Sequence, residues 1–258
     1  MADAFARFRL DGRVAVITGA ASGIGFASAR ALGLAGARIG VADIDAGGAE
    51  RAVAALAKDG IAADALVFDV ADEAKVVAAL ADLGRRHGRL DILVNNAGLA
   101  ARQPSEALDL AAWERVLRIN LNGSFLCARE AGKLMLAQKR GSIVNIASIM
   151  GLVGGGHYPN LAYHTTKGAL VNFTRALAVE WAGRGVRVNA VAPTFVRTPL
   201  TARLLSDPQM QAAIEAMTPL GRLAEADEIA DAVLYLASDA AAMVTGHTLP
   251  VDGGWVAR

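Results

Sequence analysis

Short apolar runs recur along this chain, separated by stretches whose apolar positions follow a helical period. Residues 13–18, 38–42, 62–68, 90–95, 142–147 and 186–191 are brief and rich in Val, Ile, Leu and Ala. Runs of that kind, bounded by Gly, Asn or Asp, read as strands buried on both faces. Between them, 24–34, 46–58, 72–87, 110–138 and 158–181 read as helices. Asp72 stands at an N-cap position, 110–138 divides naturally into two pieces, and the long last helix begins after Pro159. A helix at 226–236 and a short apolar segment at 248–251 complete the series. Regular alternation of strand and helix predicts an α/β, doubly wound fold: a parallel sheet of about seven strands with helices on both faces. Residues 191–225 break the rhythm and hold Pro193, Pro199, Pro208 and Pro219. The stretch 194–219 is therefore expected to form a partly helical substrate flap.

Composition narrows the function classes. The 258 residues suit a single catalytic domain spanning 1–258, long enough to bury a core without disulfides. Only 5% of the chain is aromatic while it holds 27 glycines, which favours close helix–sheet packing over a bulky core. Lys plus Arg number 26 against 25 Asp plus Glu, with no basic run, so neither nucleic acid nor an anionic membrane is an expected partner. No uncharged apolar run approaches the ~18 residues of a membrane span. The N-terminus carries Arg7 and Arg9 but no long apolar run after them, so it does not read as a signal peptide. Cys127 is the one cysteine, which excludes an internal disulfide and a thiolate metal cluster and agrees with a reducing, cytoplasmic setting. It reads as inert core. His87, His157, His164 and His247 are scattered, with no metal-ligand spacing, so no metal is expected.

Candidate chemistry begins at 18–25, Thr-Gly-Ala-Ala-Ser-Gly-Ile-Gly, between the first strand and the first helix. Gly19, Gly23 and Gly25 are spaced G-x-x-x-G-x-G. They permit a tight turn, and the helix N-terminus with Ser22 and Ile24 offers free amides to a pyrophosphate. This makes the fold Rossmann-like. Asp43 ends the second strand and is followed by Ile44. An acid there bonds the adenosine ribose 2′-hydroxyl and repels a 2′-phosphate, and no Arg or Lys occupies 20–24 or 44–45. NAD rather than NADP is the expected cofactor. Asp69-Val70 follows the third strand and suits the adenine amino group. Asn95-Asn96-Ala97-Gly98 follows the fourth, where small residues let a cofactor lie against backbone.

Tyr163 and Lys167 are spaced i, i+4, on one face of a helix. A nearby ammonium is expected to favour the phenolate and lower the tyrosine toward a usable acid/base range. Ser148, after the fifth strand, is placed to donate to a substrate oxygen. Asn120 sits among apolar residues inside a helical stretch, where Asn is a poor helix former and implies a hydrogen-bonding role. His164 points away from Tyr163 and reads as packing or solvent-exposed.

With these residues in order, the chain resembles the short-chain dehydrogenase/reductase family along nearly its whole length. The 18–25 turn resembles that family's cofactor motif, 95–98 its N-N-A-G segment, and Asn120, Ser148, Tyr163 and Lys167 its catalytic tetrad. The resemblance implies Tyr163 as general acid/base, Ser148 polarising the substrate oxygen, Lys167 binding ribose and tuning Tyr163, and Asn120 holding a relay water. It also places Pro193 at the sixth strand end, Val196 beside the nicotinamide and Thr198 on its carboxamide. Finally, it implies a homotetramer, or a dimer, built on the helices around Asn120 and Tyr163.

Two features depart from the family pattern. Thr194 follows Pro193 where Gly is usual, so either the turn differs or Thr194 faces the pocket. Ser148 and Tyr163 are also spaced more widely than is common, implying an enlarged loop at 154–159. Met150, His157, Tyr158, Asn160, Thr194, Phe195, Leu200 and Leu204 are the substrate-pocket candidates. The likeness is strongest to bacterial polyol, sugar-acid and secondary- or cyclic-alcohol dehydrogenases. The mixed pocket suits a small, partly polar alcohol or ketone, and no basic cluster in the flap beyond Arg197 and Arg203 marks a highly charged one. An NADP-dependent 3-oxoacyl reductase and a non-catalytic dinucleotide-binding regulator are the alternatives.

Overall fold

The computed structural model describes residues 5–155 and 158–258. Seven parallel strands form one sheet: β1 Val14–Thr18, β2 Arg38–Asp43, β3 Ala63–Val67, β4 Ile92–Asn95, β5 Gly141–Ile146, β6 Val186–Pro193 and β7 Thr248–Val251. Their order is β3-β2-β1-β4-β5-β6-β7. The chain builds outward from β1 through β2 to β3, then returns to lay β4 on the other side of β1. That reversal opens a crevice beyond the C-terminal ends of β1 and β4, the position where doubly wound sheets bind ligands.

Burial explains why these runs became strands. Every residue of β1 and of β4 is buried, because helices cover both faces of the sheet. On one face α1 Gly23–Leu34, α2 Ala46–Lys58 and α9 Ala226–Ala237 pack their apolar stripes on Ile17, Ile39, Val94 and Val144. On the other, α3 Glu73–His87, α5 Gly123–Gln138 and α6 Leu161–Trp181 cover Val16, Leu93, Ile143 and Val188.

Polar caps set the element ends. Asp72 accepts from the Lys75 amide at 3.2 Å to start α3, and Gly88, in the left-handed region at φ 71°, closes it. The fourth strand begins two residues later than its apolar run, because Leu90 N–H donates to Gln138 Oε1 and the Asp91 carboxylate is engaged by Val14 N–H and Arg89. Helix α6 begins at Leu161, with Asn160 as its N-cap.

The segment expected to be helical from 110 to 138 is α4 Leu110–Leu117 and α5, joined by a π-helical turn, Arg118–Asn122. In the flap, Pro199 and Pro208 start helices rather than break them. Each occupies the first turn, of α7 Pro199–Leu205 and α8 Pro208–Met217, where a missing N–H costs nothing. Thr194 does not need the conformation that glycine would favour. Among the described non-glycine residues only Lys139 has positive φ, and Thr194 N–H donates to Val251 O at 3.2 Å, extending the β6–β7 pairing.

Candidate active site

The strand-switch crevice is held open by side chains that tie β1 to the segment after β4. Thr18 Oγ1 accepts from the amides of Asn96 and Ala97, both at 3.0 Å. Asn96 Nδ2 donates back to Thr18 O at 2.9 Å and Gly19 O at 3.1 Å. Gly19 adopts φ +65°, and a Cβ on Gly25 would stand 2.2 Å from Gly19 O, so the turn and the first helix close onto one another only with glycine at both places. The result is a cleft of about 400 Å³.

The expected cofactor residues divide. Gly19, Ser22, Gly23, Ile24, Asp43 and Ile44 line the cleft. So do Asp69, Val70, Asn96, Ala97, Gly98 and Thr198. Gly25 does not; it lies beneath the turn. Pro193 and Val196 are not among the lining residues either: both are buried, Val196 within the apolar layer on the α1/α9 face of the sheet. Phe68, Leu99, Arg115, Ile119 and Pro199 line the cleft without having been singled out from sequence.

The donor set fits an adenine dinucleotide. Asp43 is pinned at the rim, its Oδ2 accepting from Ala21 N–H at 3.0 Å and its Oδ1 from Asp45 N–H at 3.1 Å. The nearby cation Arg51 pairs with Asp45 instead, at 3.5 Å. Asp69 Oδ1 accepts from Ala71 N–H at 2.9 Å, leaving its second oxygen for a donor. The glycine-walled turn provides the close backbone approach that a pyrophosphate requires.

A second chamber adjoins this cleft, and Leu200 lines both. Ser148, Met150, Tyr158, Asn160, Tyr163, Thr194 and Phe195 wall it, so most of the pocket expectations and two tetrad members meet there. Leu204 is not among the lining residues; it packs against the apolar cluster of Ile149, Met150, Phe195, Ile214 and Trp255 that the flap shares with the chamber wall. His157 lies outside the described residues. Ala100, Arg102, Ile149 and Thr201 complete the wall. Arg102 is a cation in this wall that the sequence reading, which weighed only the flap arginines, did not single out. It comes from the loop after β4 rather than from the flap, and nothing in the local pattern around it signals the contact. Of the two flap arginines weighed from sequence, Arg197 is offset by Glu225 at 3.2 Å and Glu215 at 3.8 Å.

Ser148 holds an extended backbone after β5 and its hydroxyl accepts from Met150 N–H at 3.1 Å. Tyr163 stands in the same chamber wall. The expected lowering of Tyr163 is not what the charges produce here. Desolvation pushes its hydroxyl up to about 12, with the Ser148 hydroxyl and the positive charge of Arg102 pulling the other way. Lys167 lies over the Tyr163 ring, 5.5 Å from its centroid, and donates to Ile146 O at 2.6 Å. Burial holds its ammonium down at about 8.

Asn120 sits in the π-helical turn, fully buried. Its Oδ1 accepts from Leu99 N–H, and its Nδ2 donates to Leu99 O, both at 2.9 Å, and to Thr166 Oγ1 at 3.1 Å. It thus clamps the strand-four loop to α6, one residue before Lys167. His164 is neither free nor simply packed: Nδ1 is 2.8 Å from Asn160 O and Nε2 is 3.3 Å from Gly155 O. Cys127 is buried, its thiol pushed up to about 12.

A doubly wound sheet with a glycine-lined switch-point cleft, beside a Ser/Tyr chamber, defines a dinucleotide-dependent oxidoreductase. A family model described as enoyl-(acyl carrier protein) reductase matches residues 19–256. The chain belongs to the short-chain dehydrogenase/reductase family. It is 46% identical over 251 residues to the D-threitol dehydrogenase of Mycolicibacterium smegmatis, covering 97% of this chain and 95% of that one. It is 45% identical over 258 residues to the cis-4-hydroxycyclohexanecarboxylate dehydrogenase of Sinomonas cyclohexanicum, covering all of both. A crystal structure of a gluconate 5-dehydrogenase from Burkholderia cenocepacia, in complex with NADP and tartrate, superposes with a TM-score of 0.95. It shares 39% identity, with 99% of this chain and 100% of that one covered.

Proposed function

We propose that this protein is an NAD(H)-dependent dehydrogenase that interconverts a small secondary alcohol (a polyol, sugar acid or cyclic alcohol) and its ketone. The observation that carries the reading is the adjacency of the Ser148/Tyr163 chamber and the glycine-lined cleft, which share Leu200 as a wall. Relatives named for threitol, for a hydroxycyclohexanecarboxylate and for gluconate support the substrate range. Asp43, set at the rim with no cation paired to it among the described residues, supports NAD over NADP.

A nicotinamide dinucleotide in the cleft supplies the hydride acceptor or donor. The protein's own groups handle the proton and the oxygen. Ser148 Oγ, in the same wall as Tyr163, steadies the charge on the substrate oxygen. Tyr163 takes the alcohol proton in oxidation and returns it in reduction. Lys167, above the Tyr163 ring, serves the nicotinamide-side ribose. Asn120 keeps the Leu99 backbone and Thr166 in place and offers the remaining capacity of its Oδ1 to a relay water. Pro193 and Val196 support the cofactor end from behind the wall. The chain acts as one catalytic domain, with 194–219 closing over the chamber. A homotetramer, or a dimer, is proposed on α5 and α6, where Phe125 and Val179 are exposed. The lone, buried Cys127 supports a cytoplasmic setting.

The test is a panel of polyols, sugar acids, cyclic alcohols and hydroxy esters offered to the purified protein with NAD and with NADP, followed by cofactor absorbance. Turnover with NAD is expected, and Tyr163→Phe should lower kcat about 10²–10⁴-fold while leaving NADH affinity intact. Preference for NADPH together with 3-oxoacyl substrates would replace this reading, and ordinary turnover by the Tyr163→Phe protein would remove Tyr163 as the acid/base.

A further inference from the structure

Arg102 is the only charged side chain among the described residues that wall the substrate chamber. Its guanidinium carbon lies 5.3 Å from the centroid of the Tyr158 ring, and Nη2 donates to Leu200 O at 3.1 Å. Both partners are neutral. None of the ion pairs among the described residues includes Arg102. A stacked, carbonyl-anchored guanidinium is held in place without being neutralised. It has five N–H donors, most of them uncommitted by these contacts.

Two oxygens of the same wall also lack a partner. Asn160 is 4% exposed, yet its Oδ1 accepts no hydrogen bond, and Thr194 Oγ1 makes none. A buried amide oxygen left unpaired carries a desolvation cost that a hydroxyl donor would offset. The chamber wall therefore holds a solvent-exposed cation with no anionic partner among the described residues and two buried oxygens that lack a donor, together with Ser148 and Tyr163.

We propose that Arg102 binds a carboxylate of the substrate while Asn160 and Thr194 receive its hydroxyls, so that the substrate class is the hydroxycarboxylates rather than neutral polyols. The proposal rests on the reading that Ser148 and Tyr163 hold the reacting oxygen. A carboxylate matches the guanidinium fork in shape and in single charge. A phosphate, at about −1.5 to −2, would be left half compensated in a chamber with one cation.

The test uses the enzyme–NADH complex and a matched pair of non-reacting probes, cyclohexanecarboxylate and cyclohexanecarboxamide, titrated by calorimetry. The carboxylate should bind the wild-type complex about tenfold or more tighter than the amide. Arg102→Gln should abolish that preference while leaving the amide's affinity unchanged, and Arg102→Lys, which keeps the charge but loses the fork, should retain part of it. NADH affinity of each variant checks the fold. Equal affinity for the two probes, no binding of either, or a preference surviving in Arg102→Gln would overturn the assignment. The two proposals fail separately. Turnover confined to neutral polyols leaves the dehydrogenase reading standing and removes Arg102, whereas carboxylate binding lost in Arg102→Gln with no turnover of any alcohol does the reverse.

Discussion

Lys167 stands over the Tyr163 ring, 5.5 Å from its centroid, and its Nζ donates a hydrogen bond to Ile146 O at 2.6 Å. The two groups of this pair are displaced in opposite senses by the same cause. Burial resists charge on both, so the ammonium is held down and the phenol is held up.

That displacement predicts how stability changes with pH. Lys167 falls from its ordinary 10.5 to about 8 in the folded chain, so between those values the unfolded chain binds more protons. Its contribution to stability is present above about 10.5 and is lost as pH falls toward 8. Tyr163 acts in the opposite sense at higher pH: raised from 10 to about 12, its contribution is lost as pH climbs through that window. Urea unfolding of the wild type and Lys167→Met at intervals from about pH 8 to 10 should show the wild type gaining relative stability. The gain should approach ~1.4 kcal/mol per pH unit. A flat difference would show that the ammonium is not displaced in the folded state.

Asp43 should control the choice between dinucleotides. Its carboxylate is bonded by the Ala21 and Asp45 amides, so it cannot easily swing away from a 2′-phosphate. Asp43→Asn keeps the shape and an acceptor oxygen but removes the charge, and Asp43→Ala removes both. In each variant the ratio of kcat/KM with NAD to that with NADP should fall by about tenfold or more, mainly through better use of NADP. Unchanged selectivity in Asp43→Asn would mean that charge at this rim is not read.

Gly25→Ala should damage both the fold and the cleft. The new Cβ would stand 2.2 Å from Gly19 O and 2.5 Å from Asn96 Nδ2, and the first of these is backbone that cannot turn aside. A destabilisation of about 1–3 kcal/mol is expected from the forced shift, with weakened NADH binding, both read by denaturant titration with and without NADH. Gly183→Ala, whose Cβ meets nothing within 4 Å, is the control and should behave like the wild type. Equal stability of the two variants would show that the turn can relax where the geometry says it cannot.

Much of this architecture was readable in the order of residues. Strands buried on both faces must be almost wholly apolar, so the Val/Ile runs of β1, β2, β4, β5 and β6 stood out, and the glycine turn, Asp43 and the Tyr163/Lys167 pair could be placed on strand ends and one helix face. Where the boundaries moved, a long-range partner was responsible. Leu90 gives its amide to Gln138 and the Asp91 carboxylate serves Val14, so that apolar run enters its strand late. The upward displacement of Tyr163 is not legible in sequence, because i, i+4 spacing brings an ammonium to the ring without saying how much water either group keeps.

The chain alone therefore determined its periodicities: which segments are strands, which are helices, where glycine is required and which side chains share a helix face. These depend on near neighbours and on apolar area, and both are written locally. Only the tertiary structure decided that Arg102 meets Leu200 and Tyr158, that Val196 and Leu204 pack into apolar layers, and that Asn120 clamps Leu99 to Thr166. Such contacts join residues far apart along the chain, and their energies depend on burial and direction, which exist only once the sheet and its helices have closed around them.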